Sequence, residues 1–363
     1  MEQIVSSGED FLIGPLSYEV GQDQASYVVS RRQSSIFANV PEAGPTGVKS
    51  VKFNIADPQG FIDLQTLHFS FTVRENGGAS ALQPLSTIPH NYFSRMIIRV
   101  SSALAEDLSY LSRTEEMFTR LLPYEKRSNL AALGNGMVTG THAGNDHVAR
   151  QIAANGTKRV TWRPQTSGLL SCGKMLPAML LGAGGFSIEL IVAEAAEACL
   201  NGAGRSQDYS LIDLVCQVDS VSLTSELQEQ YSSMLLSGRS IMIPFTSLDT
   251  SLQHLTALTG SHTLNLAKQY VRLADVWSTM AKEEPAIAMT NDATILAAIQ
   301  TRLMNQFYLD PASTESIESF ITVNNRRYPD FSTKGAVQHL RRLLAAMGTL
   351  PSTVHASDIT DAA

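Results

Sequence analysis

Apolar and polar residues alternate along short segments of this chain, and turn residues separate the segments. The alternation runs through residues 51–55 and 67–73, and it returns at 158–166 and 186–193. A period of two is typical of half-buried strands, and several such strands joined by turns indicate a sandwich or a barrel. We therefore expect a mainly β fold whose inward faces carry the apolar side chains.

The strand predicted at residues 95–100 has the clearest two faces. Met96, Ile98 and Val100 share one face, and Arg95 and Arg99 lie on the other. We expect the apolar face to point into the first barrel and the arginines to face solvent or a neighbouring chain.

A short helix is predicted directly after this strand, at about residues 112–122. Ser112 and Glu115 have the spacing of a capping box, and Pro123 ends the helical pattern. A single short helix inside a β-rich chain indicates a helix laid across one end of a barrel or sandwich.

The second half opens with another long alternating segment, residues 212–223, whose phase slips near Asp219 and Ser220 and indicates a bulge. A helix beginning at Ser225 and ending at Gly238 follows. The same patterns predict strands at 241–245, 262–267, 270–277 and 315–324, and helices at 292–304 and 334–347.

A segment rich in Gly and Ala, residues 201–204, indicates a boundary between two domains. We predict an irregular N-terminal segment at 1–24, a first domain at 25–205 and a second domain at 206–363. Residues 128–156 are rich in Gly, Ala and Asn, so we expect them to form an exposed loop excursion from the first domain.

Composition and charge exclude several classes of function. The 363 residues are 44% hydrophobic and carry 27 Lys and Arg against 34 Asp and Glu, a net charge of −7, which is unlike a general nucleic-acid binder. The first basic residue is Arg31, so we expect no basic nucleic-acid-binding arm. We expect no signal peptide and no membrane span, because the N-terminus lacks a basic and apolar leader and no apolar run approaches roughly 18 residues.

The three cysteines, Cys172, Cys199 and Cys216, are widely spaced and odd in number. They form no CxxC pair, so we interpret them as buried thiols of a protein made in a reducing compartment. The sequon that begins at Asn155 is expected to remain unmodified.

Motifs that would indicate catalysis are weak. The segment Gly182-Ala183-Gly184-Gly185 precedes a strand, which favours a tight turn over a phosphate-binding loop. His142 and His147 could hold a metal, but solvated loop histidines are the more common case. Paired acidic residues fit helix surfaces better than a glycosidase site, which needs carboxylates across a cleft; they are Glu115 and Glu116, Glu194 and Glu197, and Glu226 and Glu229. We therefore assign no catalytic, cofactor-binding or metal-binding residue, predict no cofactor and expect no enzymatic activity.

Several short blocks together resemble the double jelly-roll major capsid proteins of small eukaryotic viruses. The blocks lie in this order along residues 25–348: Ser30-Arg31-Arg32-Gln33, then Pro89 to Val100, then Glu106-Asp107, Tyr110 and Arg113 to Phe118, then Leu235 to Phe245, and finally Phe320 to Asp330.

The resemblance implies two jelly rolls, one in each domain, and three chains per capsomer of pseudo-hexagonal shape. It implies a structural protein that self-assembles into an icosahedral shell, is located in the virion, is assembled inside the host cell and has minor capsid proteins as further partners. Proteins of this class usually continue well past the position of Gly348. We therefore expect the second jelly roll either to be truncated at Ala363 or to be closed differently.

Two other classes of protein remain as alternatives. A carbohydrate-binding, lectin-like sandwich would need exposed aromatic residues beside Asp or Asn, and Trp162 and Trp277 both lie on apolar-patterned strands. A cupin-like metalloenzyme would need a cluster of metal ligands, and His254 and His262 are isolated.

Overall fold

The structure is a computed structural model that describes residues 28–56, 60–137, 150–181, 184–200, 205–255, 260–266, 268–280 and 317–347. Two antiparallel sheets organise residues 28–223. The first sheet has the strand order β1 (Val28–Phe37), β12 (Tyr209–Leu223), β4 (Phe61–Glu75) and β8 (Thr157–Trp162). The second has the order β3 (Ser50–Ile55), β10 (Phe186–Val192), β6 (Phe93–Val100) and β7 (Ala103–Ser109).

Shorter elements complete this part of the chain. Strand β2 (Glu42–Ala43) pairs with β12, β9 (Met175–Leu176) pairs with β4, and β5 (Ala81–Leu82) pairs with β11 (Arg205–Ser206). The helical segments are α1 (Leu111–Arg120), α2 (Tyr124–Asn129), α3 (Ala195–Ala198), the single turns Pro89–Tyr92 and Ala178–Leu180, and the π-helical turn Leu130–Gly134. After the sheets come α4 (Ser225–Leu236), the hairpin β13 (Glu318–Val323) and β14 (Arg326–Lys334), and α5 (Gly335–Ala346).

The connections between the two sheets follow the jelly-roll pattern. Along the chain, β1, β4, β8 and β12 belong to the first sheet, and β3, β6, β7 and β10 belong to the second. Eight antiparallel strands shared in this way between two facing sheets form a jelly roll. The prediction of a mainly β fold is therefore confirmed, and residues 28–223 form a jelly roll.

The alternating residues form the core between the two sheets, as predicted. In β6, Met96 and Ile98 are fully buried and Val100 packs against the core from a half-buried position. Arg95 and Arg99 point outward, where Arg95 pairs with Asp107 and Arg99 with Glu189. The aromatic centre joins both sheets, since Trp162 stacks on Phe93 with ring centroids 5.3 Å apart and lies 5.9 Å from Phe69.

Strand β12 corrects the expected domain boundary. It was expected to open the second domain, but it pairs with β1 on one side and with β4 on the other. Both of these neighbours lie before residue 205, so a boundary at 205/206 would separate β12 from its own sheet. The pairing of β12 extends as far as Leu223. The bulge expected near Asp219 is present as a register shift between Gln217 and Asp219.

The second half differs more from the prediction. Strand β13 and helices α4 and α5 lie where the sequence indicates them, whereas residues 241–245, 262–266 and 270–277 have no regular structure. A strand exists only with a hydrogen-bonded neighbour, and these described segments are not paired in any sheet. The predicted helix at 292–304 lies outside the described residues.

The two ends of the loop excursion predicted at 128–156 are less exposed than expected. Met137 and Ile152 are buried in the core, and Ala131 and Arg150 are also buried. Residues 138–149 lie outside the described residues.

Candidate functional site

A cluster of buried polar side chains lies beneath α1, at one end of the jelly roll. The Glu116 carboxylate is its centre, and it accepts hydrogen bonds from Ser86 Oγ at 2.7 Å and from Arg120 Nε at 2.7 Å. His90 Nε2 lies 2.9 Å from the same carboxylate. Both His90 and Glu116 are almost fully buried. Arg120, His90 and Ser86 together outweigh the burial of Glu116 and lower its pKa below the ordinary value of 4.5.

The carboxylate of Glu115 holds the chain after β8. Its Oε1 accepts hydrogen bonds from the backbone N–H groups of Gln165 and Thr166, both at 2.8 Å, and from Thr166 Oγ1 at 2.6 Å. Burial raises the pKa of Glu115, although these hydrogen bonds and the nearby His90 oppose the shift.

Glu106, on β7, holds the same loop from its other end. It accepts hydrogen bonds from Ser167 Oγ at 2.5 Å and from the Gly168 N–H at 2.9 Å. It also accepts one from Ser247, and burial raises its pKa. Residues 165–169 are thus fixed by two buried carboxylates, and Glu106 links them to the chain after α4.

This arrangement supports the fold and is not arranged for catalysis. In a nucleophilic triad the histidine lies between the nucleophile and the carboxylate, whereas here Ser86 and His90 both bind Glu116. All three side chains are also closed to solvent. No substrate could reach them without opening the end of the jelly roll.

Two predictions about these residues are wrong. Glu115 and Glu116 were expected on a helix surface, but they are only 2% and 3% exposed. The capping box is also absent, because α1 begins after Tyr110 without a side-chain cap and Glu115 bonds to Thr166 instead. The helix itself was predicted correctly, but its buried face consists mainly of polar residues.

The other candidates are distributed as follows. His142 and His147 lie outside the described residues. Gly184 lies beside Ser101, whose N–H donates a hydrogen bond to the Gly185 carbonyl at 2.8 Å, and residues 182 and 183 lie outside the described residues. Cys199 and Cys216 are fully buried, and their burial raises the pKa of both thiols.

Within the described ranges, no three His, Cys, Asp or Glu side chains come together in a way that could hold a metal. The helices of these ranges are too short or too polar to cross a bilayer.

Trp162 and Trp277 were the aromatic residues named for a lectin-like site. Trp162 is buried, with 2% of its surface exposed, and Trp277 packs against Phe118 with ring centroids 5.5 Å apart. Neither side chain therefore forms the exposed platform that a sugar ring would need.

Exposed apolar side chains are concentrated in the chain after β12. The fully buried apolar core includes no described residue beyond Val221. Many large apolar side chains are exposed between residues 236 and 337, including Leu236, Met242, Leu264, Leu266, Val271, Leu273, Phe320, Tyr328, Phe331 and Val337. We call this set the C-terminal apolar surface. Exposed apolar area of this extent is typical of surfaces that bind other proteins.

The hairpin β13–β14 and helix α5 form the largest ordered part of this surface, and we call them the hairpin–helix unit. Thr333 is its only fully buried residue in the described part of the chain. A two-stranded hairpin is marginally stable by itself in water, so this unit needs a partner against which its apolar side chains can pack.

No family model and no curated protein matches the sequence. Solved structures that are similar in fold are viral major capsid proteins, the class that the sequence resemblance indicated. A chain of the PBCV-1 virus capsid is 15% identical with a TM-score of 0.38, over 59% of this chain and 47% of that chain. The Faustovirus major capsid protein is 7% identical with a TM-score of 0.34, over 60% and 59%. The mavirus major capsid protein is 8% identical with a TM-score of 0.29, over 62% and 54%.

The matched regions span about half the length of these capsid structures. Every one of these TM-scores is below 0.5, so the comparisons indicate a likeness of fold and not a role.

Proposed function

We propose that this chain is the structural subunit of a viral capsid and acts by assembling with copies of itself, without catalysis. The proposal includes three chains per pseudo-hexagonal capsomer, an icosahedral shell and a location in the virion after assembly in the host cell. Minor capsid proteins are proposed as further partners. Sequence blocks such as Leu235 to Phe245 and Phe320 to Asp330 are the basis for this class.

One observation of the structure carries the proposal. A jelly roll with a fully packed core is followed by more than a hundred residues whose described part has exposed apolar side chains and almost no core. Folded chains bury such side chains against something. A subunit that completes its apolar packing only in an assembly meets this requirement, and the most abundant partner in a shell is another copy.

The experiment is size-exclusion chromatography with light scattering on the purified full chain, followed by negative-stain microscopy. We expect a species of three times the 39.3 kDa mass of one chain, with pseudo-hexagonal particles or shells in the images. A chain that remains monomeric at every concentration would contradict the proposal.

A further inference from the structure

An open crevice of about 500 Å³ lies between β14 and α5 in the hairpin–helix unit. Its walls combine apolar and basic side chains, namely Phe331, Ser332, Gln338, Arg341, Arg342 and Ala345. Phe331, the largest apolar side chain of the crevice, is 86% exposed. The crevice therefore presents an apolar wall and a basic rim to solvent.

The charge of this unit is opposite to that of the rest of the chain. Residues 317–347 contain five basic and two acidic residues, a net charge of +3, whereas the whole chain carries −7. The remaining residues therefore carry −10. No ion pair engages Arg341 or Arg342 among the residues that the structure describes. An occupant that is both acidic and apolar would complement the crevice.

Helix α4 carries a stripe with this chemistry. Glu226, Glu229, Ser233 and Leu236 are all exposed, and their spacing of three, four and three residues places them on one helical face. The carboxylates lie toward the N-terminal end, and Leu236 at the C-terminal end is 89% exposed. The helix has no buried residue, so it has a face that is available for docking.

We propose that α4 of a second copy docks in the crevice of the hairpin–helix unit. Glu226 and Glu229 pair with Arg341 and Arg342, and Leu236 packs against the apolar wall. Carboxylate–guanidinium pairs of this kind are charge-assisted and fix orientation. The contact joins two different surfaces, so it is heterologous and produces a closed ring when the rotation between copies closes. This inference rests on the proposed function, because it names the contact through which the subunits assemble.

The experiment measures the mass of the full chain by light scattering over a range of protein concentrations. The variants are R341E/R342E, E226K/E229K, the combination of all four substitutions, and L236S. The control is K126E/K174E, which changes the net charge by the same amount as R341E/R342E at two exposed lysines of the jelly roll.

We expect each charge reversal to raise the dissociation constant of the assembly at least about 30-fold, because one set of charges then faces its own sign. The combined variant should regain the wild-type mass, L236S should assemble more weakly, and the control should behave like wild type. Because L236S changes no charge, it tests the apolar part of the contact independently of electrostatics.

Three results would overturn the inference. Reversed variants that assemble like wild type would exclude these charges from the interface. Loss of assembly that the combined variant does not restore would exclude their pairing. A reversal that lowers the melting temperature but leaves the mass unchanged would place the contact within one chain. A wild-type chain that never assembles would instead contradict the proposed function itself.

Discussion

At the scale of single residues, Glu115 and Glu116 show how position decides the chemistry of identical side chains. Burial dominates at Glu115 and raises its pKa, whereas Arg120 and His90 offset the burial of Glu116 and lower its pKa. A raised carboxyl pKa stabilises the fold below the ordinary value of 4.5, and this stabilisation is lost as the pH rises through the raised pKa. A lowered carboxyl pKa stabilises the fold above the ordinary value, and this stabilisation is lost as the pH falls through the lowered pKa.

The first prediction compares E115Q with E116Q in urea unfolding between pH 3 and pH 7. Wild type should lose stability relative to E115Q as the pH rises above about 4.5, because the hydrogen bonds to an ionised Glu115 compensate its cost of burial only in part. It should lose stability relative to E116Q as the pH falls below the same value, because the paired Glu116 carboxylate becomes protonated. At pH 7, E116Q should cost about 3 kcal/mol, as expected for breaking a buried ion pair.

Each of these variants is the control for the other, since both remove one negative charge from α1. If the two stability differences change with pH in the same direction, then the direction of the pKa shift assigned to one of the two carboxylates is wrong.

The second prediction tests the register of β6. Ile98 is completely buried, so I98D should cost on the order of 3 kcal/mol or more by placing an unpaired charge in the core. Arg99 is partly exposed and pairs with Glu189, so R99A should cost under about 1 kcal/mol. Chemical denaturation measures both values. A large loss for R99A with little loss for I98D would require the strand to be shifted by one residue.

The residue pattern predicted the faces of β6 but not the buried face of α1. In β6 the inward residues are apolar, so alternation alone identifies them. In α1 the buried residues include Ser112, Glu115, Glu116 and Thr119, whose burial depends on partners distant in sequence. The partners of Glu115 lie about fifty residues away, and no local pattern records such a contact.

At the scale of elements, the loop at 165–169 connects the jelly roll to the chain after α4. A Cβ atom at Gly168 would overlap the carbonyl oxygen of Thr246, so only glycine permits this approach. Ile243 and Leu248 pack against the core on either side of that contact.

The third prediction is that G168A destabilises the protein by about 1–3 kcal/mol, because the added methyl group overlaps rigid backbone. It should also increase proteolytic cleavage near Thr246, since residues 243–248 would be displaced from the jelly roll. The control is G47A, because a Cβ atom there meets nothing within 4 Å. Equal melting temperatures and equal cleavage for the two variants would contradict the close approach.

Helices and strands were predicted well where the fold supplies the neighbour that each of them needs. Strands β3, β4, β6, β8, β10 and β12 and helices α1, α4 and α5 lie near their predicted positions. Residues 262–266 and 270–277 also alternate, yet they form no strand. Alternation records that one face is to be buried, but it does not supply the hydrogen-bonded neighbour that a strand requires. For the same reason, the sequence identified β12 as a strand but assigned it to the wrong domain.

At the scale of the whole molecule, the burial of apolar side chains changes at the end of β12. The described residues before this point enclose a continuous core between two sheets, and those after it expose the C-terminal apolar surface. The resemblance to capsid proteins predicted two similar halves, and residue patterns could not reveal this difference, because exposed and buried apolar positions have the same sequence signature. The difference is consistent with the proposed function, in which the second part completes its packing in an assembly.

The last prediction concerns fragments that end on either side of β12. This strand lies between β1 and β4 in its sheet and contributes the buried residues Leu211, Cys216 and Val221. A fragment of residues 1–205 lacks the strand, so it leaves the core open and exposes the backbone edges of both neighbours, and we expect it to aggregate.

A fragment of residues 1–236 retains β12 and lacks most of the C-terminal apolar surface. It should remain soluble and monomeric and unfold cooperatively, while the full chain associates. Light scattering and thermal unfolding monitored by circular dichroism distinguish these outcomes. If residues 1–205 fold as stably as residues 1–236, then β12 is not part of the first jelly roll and the boundary at 205/206 is restored.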